Sequence, residues 1–173
     1  MNGFLLLLPF LGIRFGLLAA RSKDAVWRAA RFAPRQGGEK IAYGFYQLSN
    51  LAFFLVLLFT KVRPEGSWQA GAGAACYCLG LFLCALSVLH FASPDSTGLN
   101  TGGIYRISRN PMYIAYFVCF LGMVLLTRSP ILLGILLVFQ ISSHWIILSE
   151  ERWCAEKFGP AWQEYAKRVR RYL

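Results

Sequence analysis

"NPMYIAYFVCFLGMVLLTRSPILLGILLVFQ" runs from Asn110 to Gln140 and contains two apolar runs separated by the short segment "TRSP". Each run approaches the roughly 20 residues that an α-helix needs to cross a bilayer. Pro111 opens the first run at a position where the first turn of a helix tolerates its missing N–H. The stretch therefore predicts two membrane-spanning helices, over residues 111–126 and 131–149, joined by a tight turn.

The composition of the whole chain extends this prediction. Hydrophobic residues make up 57% of the 173 residues and charged residues only 15%, which is too little charge for a soluble domain of this size. Three further apolar runs, over residues 2–20, 41–60 and 68–91, bring the expected number of spans to about five. We expect one all-α integral membrane domain over residues 1–173, ending in a polar, helical tail over residues 150–173.

The net charge of +10 would point to nucleic acid as a partner of a soluble protein. Here the basic residues lie between apolar runs, where lipid headgroups and membrane topology explain them better. With five spans the termini lie on opposite sides, and the side richer in Lys and Arg is expected to be cytoplasmic. We therefore predict an external N-terminus and a cytoplasmic C-terminus. Three basic residues lie on the external side, Lys61, Arg63 and Arg128, and fourteen on the other side: Arg21, Lys23, Arg28, Arg31, Arg35, Lys40, Arg106, Arg109, Arg152, Lys157, Lys167, Arg168, Arg170 and Arg171.

Polar side chains also occur within the apolar runs. Because placing a polar group inside a bilayer is unfavourable in free energy, their positions are informative. Arg14 lies about two turns from the end of the first run, close enough for its side chain to reach the nearer surface. Interhelical hydrogen bonds would explain each of the other polar residues singly. Their common bias to the cytoplasmic side favours a pocket that opens there. They are Tyr43, Tyr46, Gln47, Asn50, Ser87, His90, Tyr113, Gln140, His144 and Glu151.

The polar residues at the ends of the third and fifth spans allow more than one interpretation. His90, His144 and Glu151 would make a metal site in principle, but nothing in the sequence brings them together, and we expect no metal. Glu150 and Glu151 project about 100° apart on a helix, so they do not both face one pocket squarely, and a solvated helix is the alternative interpretation. In the tail, one apolar stripe is expected to lie on the membrane surface. It is formed by Trp162, Tyr165, Ala166 and Val169.

The carboxyl-terminal part carries an ordered set of motifs: "GGIYRISRNPMY" at 102–113, "EER" at 150–152 and "FGPAWQEY" at 158–165. Over about residues 99–173 the chain resembles the isoprenylcysteine carboxyl methyltransferase and phospholipid methyltransferase group of integral membrane enzymes. In that group a Gly-x-Tyr-Arg segment leads to Arg-His-Pro-x-Tyr, and then to Glu-Glu and Phe-Gly-x-x-x-x-x-Tyr. Asn110 stands where histidine is commonest, and Ala115 stands where glycine is usual.

The resemblance implies methyl transfer from S-adenosylmethionine to a membrane lipid or lipidated acceptor at the cytoplasmic face, with no metal. An enzyme like isoprenylcysteine carboxyl methyltransferase is the first expectation. A phospholipid amine N-methyltransferase and a non-enzymatic membrane scaffold are the alternatives. The resemblance also implies catalytic roles for Arg109 and Glu151. It implies cofactor contacts from Tyr105, Asn110, Pro111, Tyr113, His144, Glu150 and Glu151.

Overall fold

A computed structural model gives the structure of the chain and describes residues 1–21, 23–30, 33–63 and 66–173. Within these ranges the fold is all-helical, as predicted. Arg31, which was counted among the basic residues of the first loop, lies outside the described residues. The helices are α1 (Gly3–Arg21), α2 (Lys23–Ala30), α3 (Glu39–Phe59), α4 (Trp68–Phe91), α5 (Pro111–Thr127), α6 (Pro130–Phe158) and α7 (Pro160–Arg168).

Four of the described helices, α1, α3, α4 and α6, are long and apolar enough to cross a membrane. Helix α5 is equally apolar but has only 17 residues, or about 26 Å at 1.5 Å per residue. The predicted count of about five spans is therefore approximate. The helices begin and end within two residues of the predicted spans, except that α6 continues beyond the fifth predicted span to Phe158. The paired acids thus belong to α6, and the tail begins at Gly159.

Helices α4 and α5 pack antiparallel at short distance because glycines face the partner helix. A Cβ added to Gly80 would lie 2.4 Å from the Cα of Cys119, and one added to Gly122 would lie 2.4 Å from the backbone nitrogen of Tyr77. Small residues allow helix backbones to approach this closely in lipid. The two helices therefore form a closely packed pair.

We expect Gly80→Ala and Gly122→Ala each to destabilise the protein by about 1–3 kcal/mol, because the added methyl group meets backbone that must move. Thermal unfolding of the purified protein in detergent measures the effect. Gly134→Ala is the matched control, since a Cβ added at this helical position has nothing within 4 Å. Equal unfolding temperatures for the three variants would contradict the close packing of α4 on α5.

Helices α3 and α6 also run antiparallel, and a salt bridge joins the start of one to the end of the other. Arg152 donates to both carboxylate oxygens of Glu39, at 2.6 and 2.7 Å, and also to the carbonyl of Pro34 at 3.1 Å. The first loop is thereby tied across this end of the bundle. At the opposite end, the backbone nitrogen of Gly3 donates to the carbonyl of Thr60 at 2.7 Å.

These pairings gather the ends of α1, α4 and α6 and the starts of α3 and α5 at one end of the bundle. An aromatic core lies behind them, in which the Phe120 ring is 4.7 Å from Phe53 and 5.4 Å from Phe139, centroid to centroid. Helix α2, the loop between α4 and α5, and the tail cover this end. The candidate site lies between this cover and the core.

Candidate active site

A cavity of about 480 Å³ opens at the covered end of the bundle, a volume within the usual range for small-molecule sites. Its lining comes from α1 to α7 and from the loop before α5. Every predicted site residue except His144 takes part in it. Those residues are Tyr105, Arg109, Asn110, Pro111, Tyr113, Glu150 and Glu151.

One wall of the cavity is a turn organised by Asp95. Its Oδ1 accepts hydrogen bonds from the backbone nitrogen and the hydroxyl of Thr97, at 2.9 and 2.6 Å, and its Oδ2 accepts one from Thr101 at 3.0 Å. The hydrogen bonds from Thr97 hold the pKa of Asp95 below its ordinary value. The turn directs Leu99 and Asn100 into the cavity wall.

The "GGIYR" segment contacts α4 through glycine. Gly103 has a φ of +56°, and a Cβ added to it would lie 2.1 Å from the ring of His90. The 3₁₀ turn Gly103–Arg106 follows and buries Tyr105, whose carbonyl accepts a hydrogen bond from the Tyr165 hydroxyl at 2.7 Å. Burial raises the pKa of both tyrosines. The segment is therefore locked between α4 and the tail helix.

Gly103→Ala is expected to destabilise the protein by about 1–3 kcal/mol, because the methyl group meets the His90 ring and the left-handed backbone disfavours any side chain. Gly102→Ala is the matched control: its φ is −91°, and nothing lies within 4 Å of its added Cβ. Thermal unfolding of the two variants side by side tests this. A Gly102→Ala variant that is as unstable as Gly103→Ala would show that the ring contact is unimportant.

Glu151 is surrounded by donors. It accepts hydrogen bonds from Arg109 at 3.2 Å, from Arg171 at 3.0 Å and from the side-chain amide of Asn110 at 3.1 Å. The side chains of Arg109 and Glu151 are only 12% and 11% exposed, and the hydrogen bond to Glu151 raises the pKa of Arg171. Charge-assisted bonds of this kind are strong. Glu151 therefore joins the loop before α5 to the end of the chain and has little capacity left for a ligand.

Glu150 has very different surroundings. Its hydrogen bond within the described part of the chain comes from the hydroxyl of Tyr113, at 3.0 Å to Oε1, and it forms no salt bridge there. Neighbouring residues on a helix project about 100° apart, so one acid is paired with arginines while the other keeps a carboxylate oxygen for the cavity. Of the two acids, Glu150 is the one able to receive a cationic or hydroxyl group.

Two buried polar atoms of the cavity lining have no hydrogen-bond partner among the described residues. They are Oδ1 of Asn100, an acceptor, and Nε of Arg109, a donor. Buried polar atoms are nearly always paired, so these two atoms are available to a polar ligand or to water. The ring of Trp162 lies beside Arg109, with its centroid 5.6 Å from Cζ. The lining thus suits a molecule that combines charged, hydrogen-bonding and aromatic parts.

His144 lies outside the cavity lining. Its Nδ1 is 2.6 Å from the hydroxyl of Tyr172, so its ring holds the end of the chain against α6. Its assignment to the cofactor stays a prediction that the cavity does not support. Of the polar face predicted on α3, Tyr46 lines the cavity, whereas Asn50 donates back to the carbonyl of Tyr46 at 2.8 Å.

The apolar stripe of the tail packs on protein. Trp162 and Tyr165 are buried against Leu99, with Phe158 and Val169 packed around them. The expectation that this stripe lies on the membrane surface was wrong, because the loop before α5 supplies an apolar surface of its own. Trp162 and Tyr165 consequently form part of the cavity wall.

Sequence reasoning missed two arginines of the lining, Arg14 and Arg28. Arg28 donates to the carbonyl of Phe91 at 2.9 Å and stacks over its ring, and burial lowers the pKa of Arg28. Arg14 faces the cavity and contacts the ring of Tyr116 instead of reaching for the surface. For Arg14 the signal in the sequence was a charge inside an apolar run, whereas Arg28 lies in a basic linker and has no such signal. Among the described residues, no group of three His, Cys, Asp or Glu side chains is arranged to hold a metal ion.

Comparison with known proteins gives a family for this fold and site. A family model described as phospholipid methyltransferase matches residues 71–161, more than half of the chain. The cobalt-zinc-cadmium resistance protein CzcN of Cupriavidus metallidurans is 29% identical over 65% of this chain and 54% of its own length. The nickel-cobalt-cadmium resistance protein NccN of Alcaligenes xylosoxydans xylosoxydans is 33% identical over 73% of this chain and 61% of its own length. The chain therefore spans less than two thirds of these curated relatives. No solved structure matches it significantly.

Proposed function

Because the chain belongs to the phospholipid methyltransferase family, we propose that it transfers a methyl group from S-adenosylmethionine to a lipidic acceptor. The resemblance seen in its motifs is confirmed at the level of the family. The observation that carries the proposal is the cavity, in which the available carboxylate of Glu150 and the unpaired atoms of Asn100 and Arg109 line one space.

S-adenosylmethionine supplies a methyl group made electrophilic by a sulfonium centre. The residues present suit such a molecule: Glu150 would hold its ammonium group or ribose hydroxyls, and Arg109 its carboxylate. Oδ1 of Asn100 is a further acceptor for its polar groups. The rings of Tyr46 and Trp162 are able to face a cation or stack on adenine. Tyr113 holds Glu150 in place through its hydroxyl.

Alignment and exclusion of water are the main tasks that this chain performs for the reaction. The tail helix contributes Trp162 and Tyr165 to the cover of the cavity. Of the two residues expected to be catalytic, Arg109 keeps one donor free for a bound molecule, whereas Glu151 is occupied by its donors. We assign Glu151 a positioning role, exerted through Arg109 and Asn110.

The acceptor that we propose first is a carboxylate like that of isoprenylcysteine, which attacks the methyl group without a base. The second candidate is a phospholipid amine, which the description of the family favours. An ammonium group must lose a proton before it attacks; for such an acceptor Glu150 would serve as the base instead of holding the ammonium group of the cofactor. The cavity of this multi-pass membrane protein opens, in our proposal, to the cytoplasm, with the N-terminus outside, because the basic loops adjoin it.

Calorimetry on the purified full chain in lipid nanodiscs tests the proposal, with S-adenosylmethionine and S-adenosylhomocysteine as ligands. We expect one molecule to bind per chain, followed by transfer of a radiolabelled methyl group to an added lipid acceptor. Protein that unfolds cooperatively but binds neither ligand would overturn the proposal and favour the scaffold interpretation.

A further inference from the structure

Arg14 brings a positive charge from the first span into the cavity. It lies in Gly12–Leu17, a wide turn of π-helical geometry inside α1. Turns of this kind are rare and frequently occur at functional sites. Seven positions separate Arg14 from Arg21 at the end of α1, or about 10 Å along the helix axis. The charge is thus held well inside the span.

Arg14 has no hydrogen bond and no salt bridge within the described part of the chain. Its Cζ lies 5.9 Å from the ring centroid of Tyr116 and 5.5 Å from that of Phe15, so its nearest charge-dependent contacts among the described residues are with aromatic rings. Glu150 interacts with it electrostatically, but the two groups form no ion pair. A charged side chain inside a span normally has a partner or a function.

The other described cations of the cavity differ from Arg14 in their partners or in their exposure. Arg109 is paired with Glu151 at 3.1 Å, and only its Nε lacks a partner among the described residues. Arg28 donates to the carbonyl of Phe91, and Lys157 is exposed, with its Nζ 4.5 Å from the ring centroid of Trp153. Arg14 therefore offers the cavity a guanidinium group whose donors are free among the described residues.

We propose that Arg14 binds the anionic group of the lipidic acceptor, a carboxylate or a phosphate, and so selects which lipids enter the site. The inference rests on the proposed function. An acceptor whose tail lies in the bilayer must bring its charge below the membrane surface to reach this cavity, and there a guanidinium group matches either anion with two parallel hydrogen bonds. Arg14 precedes the matched region, residues 71–161, so membership of the family does not by itself assign it a role.

Two pairs of probes test the inference. Within each pair the apolar tail is the same, and one member is charged while the other is neutral. The first pair is S-farnesyl-N-acetylcysteine and its carboxamide, and the second is farnesyl phosphate and farnesol. Binding to the full chain in phosphatidylcholine nanodiscs is measured by calorimetry, with saturating S-adenosylhomocysteine. We expect Arg14→Gln to weaken binding of a charged probe about tenfold or more and to leave its neutral counterpart unchanged. Arg14→Lys should retain part of the affinity, and Arg21→Gln, at the exposed end of the same helix, should bind as wild type does.

The outcomes separate the two proposals. If Arg14→Gln loses binding of the carboxylate probe alone, the inference is supported and the acceptor is a carboxylate. If the variant loses binding of the phosphate probe alone, the inference is supported and the acceptor is a phosphorylated lipid. A wild-type chain that binds S-adenosylhomocysteine but does not prefer charged probes, or an Arg14→Gln variant that keeps the preference, overturns the inference alone. A wild-type chain that binds no S-adenosylhomocysteine overturns the proposed function. Arg14→Met, which suits the bilayer better, takes the place of Arg14→Gln if the latter does not fold.

Discussion

Glu150→Gln is expected to lower the affinity for S-adenosylhomocysteine by about tenfold or more, because a charge-assisted hydrogen bond contributes about 1.5–3 kcal/mol. Glutamine keeps the size of the side chain and an oxygen that accepts from Tyr113, so the fold should be unaffected. Calorimetry gives the affinity, and thermal unfolding of the ligand-free protein reports on the fold. The prediction follows from the one carboxylate hydrogen bond of Glu150 within the described part of the chain.

Two further variants sharpen this test. Glu156→Gln changes an exposed acid on the same helix and should bind the ligand as wild type does. Tyr113→Phe removes the hydrogen bond that orients Glu150 but keeps the charge, so its loss of affinity should be smaller. A folded Glu150→Gln variant with wild-type affinity would mean that the carboxylate serves only to bind Tyr113.

The helices were largely predictable because individual residues at their ends, such as proline and glycine, determine where they begin and end. Pro111 and Pro130 begin α5 and α6, as proline does at first-turn positions. Gly159, with a φ of +51°, separates α6 from α7, and Pro160 begins α7. The predicted fifth span ends at residue 149, where the sequence becomes polar, whereas the helix continues to Phe158, which is packed with its neighbours on Leu99. That contact joins distant parts of the chain and has no local signal.

The candidate site was predictable as a set of residues but not as a network. Adjacent acids on a helix must face different surroundings, yet the sequence does not say which of the two meets the arginines. The structure answers this through the end of the chain, where Arg171 reaches Glu151. The same folding back of the tail brings Tyr172 to His144, which lies outside the cavity lining. Arg14 was misjudged because a helix pattern does not show that a π-helical turn directs a side chain inward.

Glu151→Ala is expected to destabilise the protein by about 3 kcal/mol or more, because removing one partner of a buried ion pair leaves the other charge uncompensated. Arg109 and Arg171 would both lose the carboxylate that accepts from them, although Arg109 would keep its hydrogen bond to the carbonyl of Ala166. The tail should then detach more easily, since Glu151 is one of the groups that bind it to α6 and to the loop before α5. Thermal unfolding measures the loss of stability, and limited trypsin digestion measures release of the tail at its basic residues.

A second ion pair of the same tail supplies the comparison. Glu164 and Lys167 are 3.1 Å apart, but their side chains are 65% and 72% exposed, and an exposed pair contributes only about 0–1 kcal/mol. Glu164→Ala should therefore leave both stability and the rate of tail cleavage near wild type. Glu151→Gln should fall between the two, because its amide oxygen still accepts from Asn110 while the negative charge is gone. If Glu151→Ala and Glu164→Ala have the same small effect, Glu151 does not hold the tail, and its place over the cavity depends on the other contacts of the tail, such as the burial of Trp162 and the hydrogen bond from Tyr165 to Tyr105.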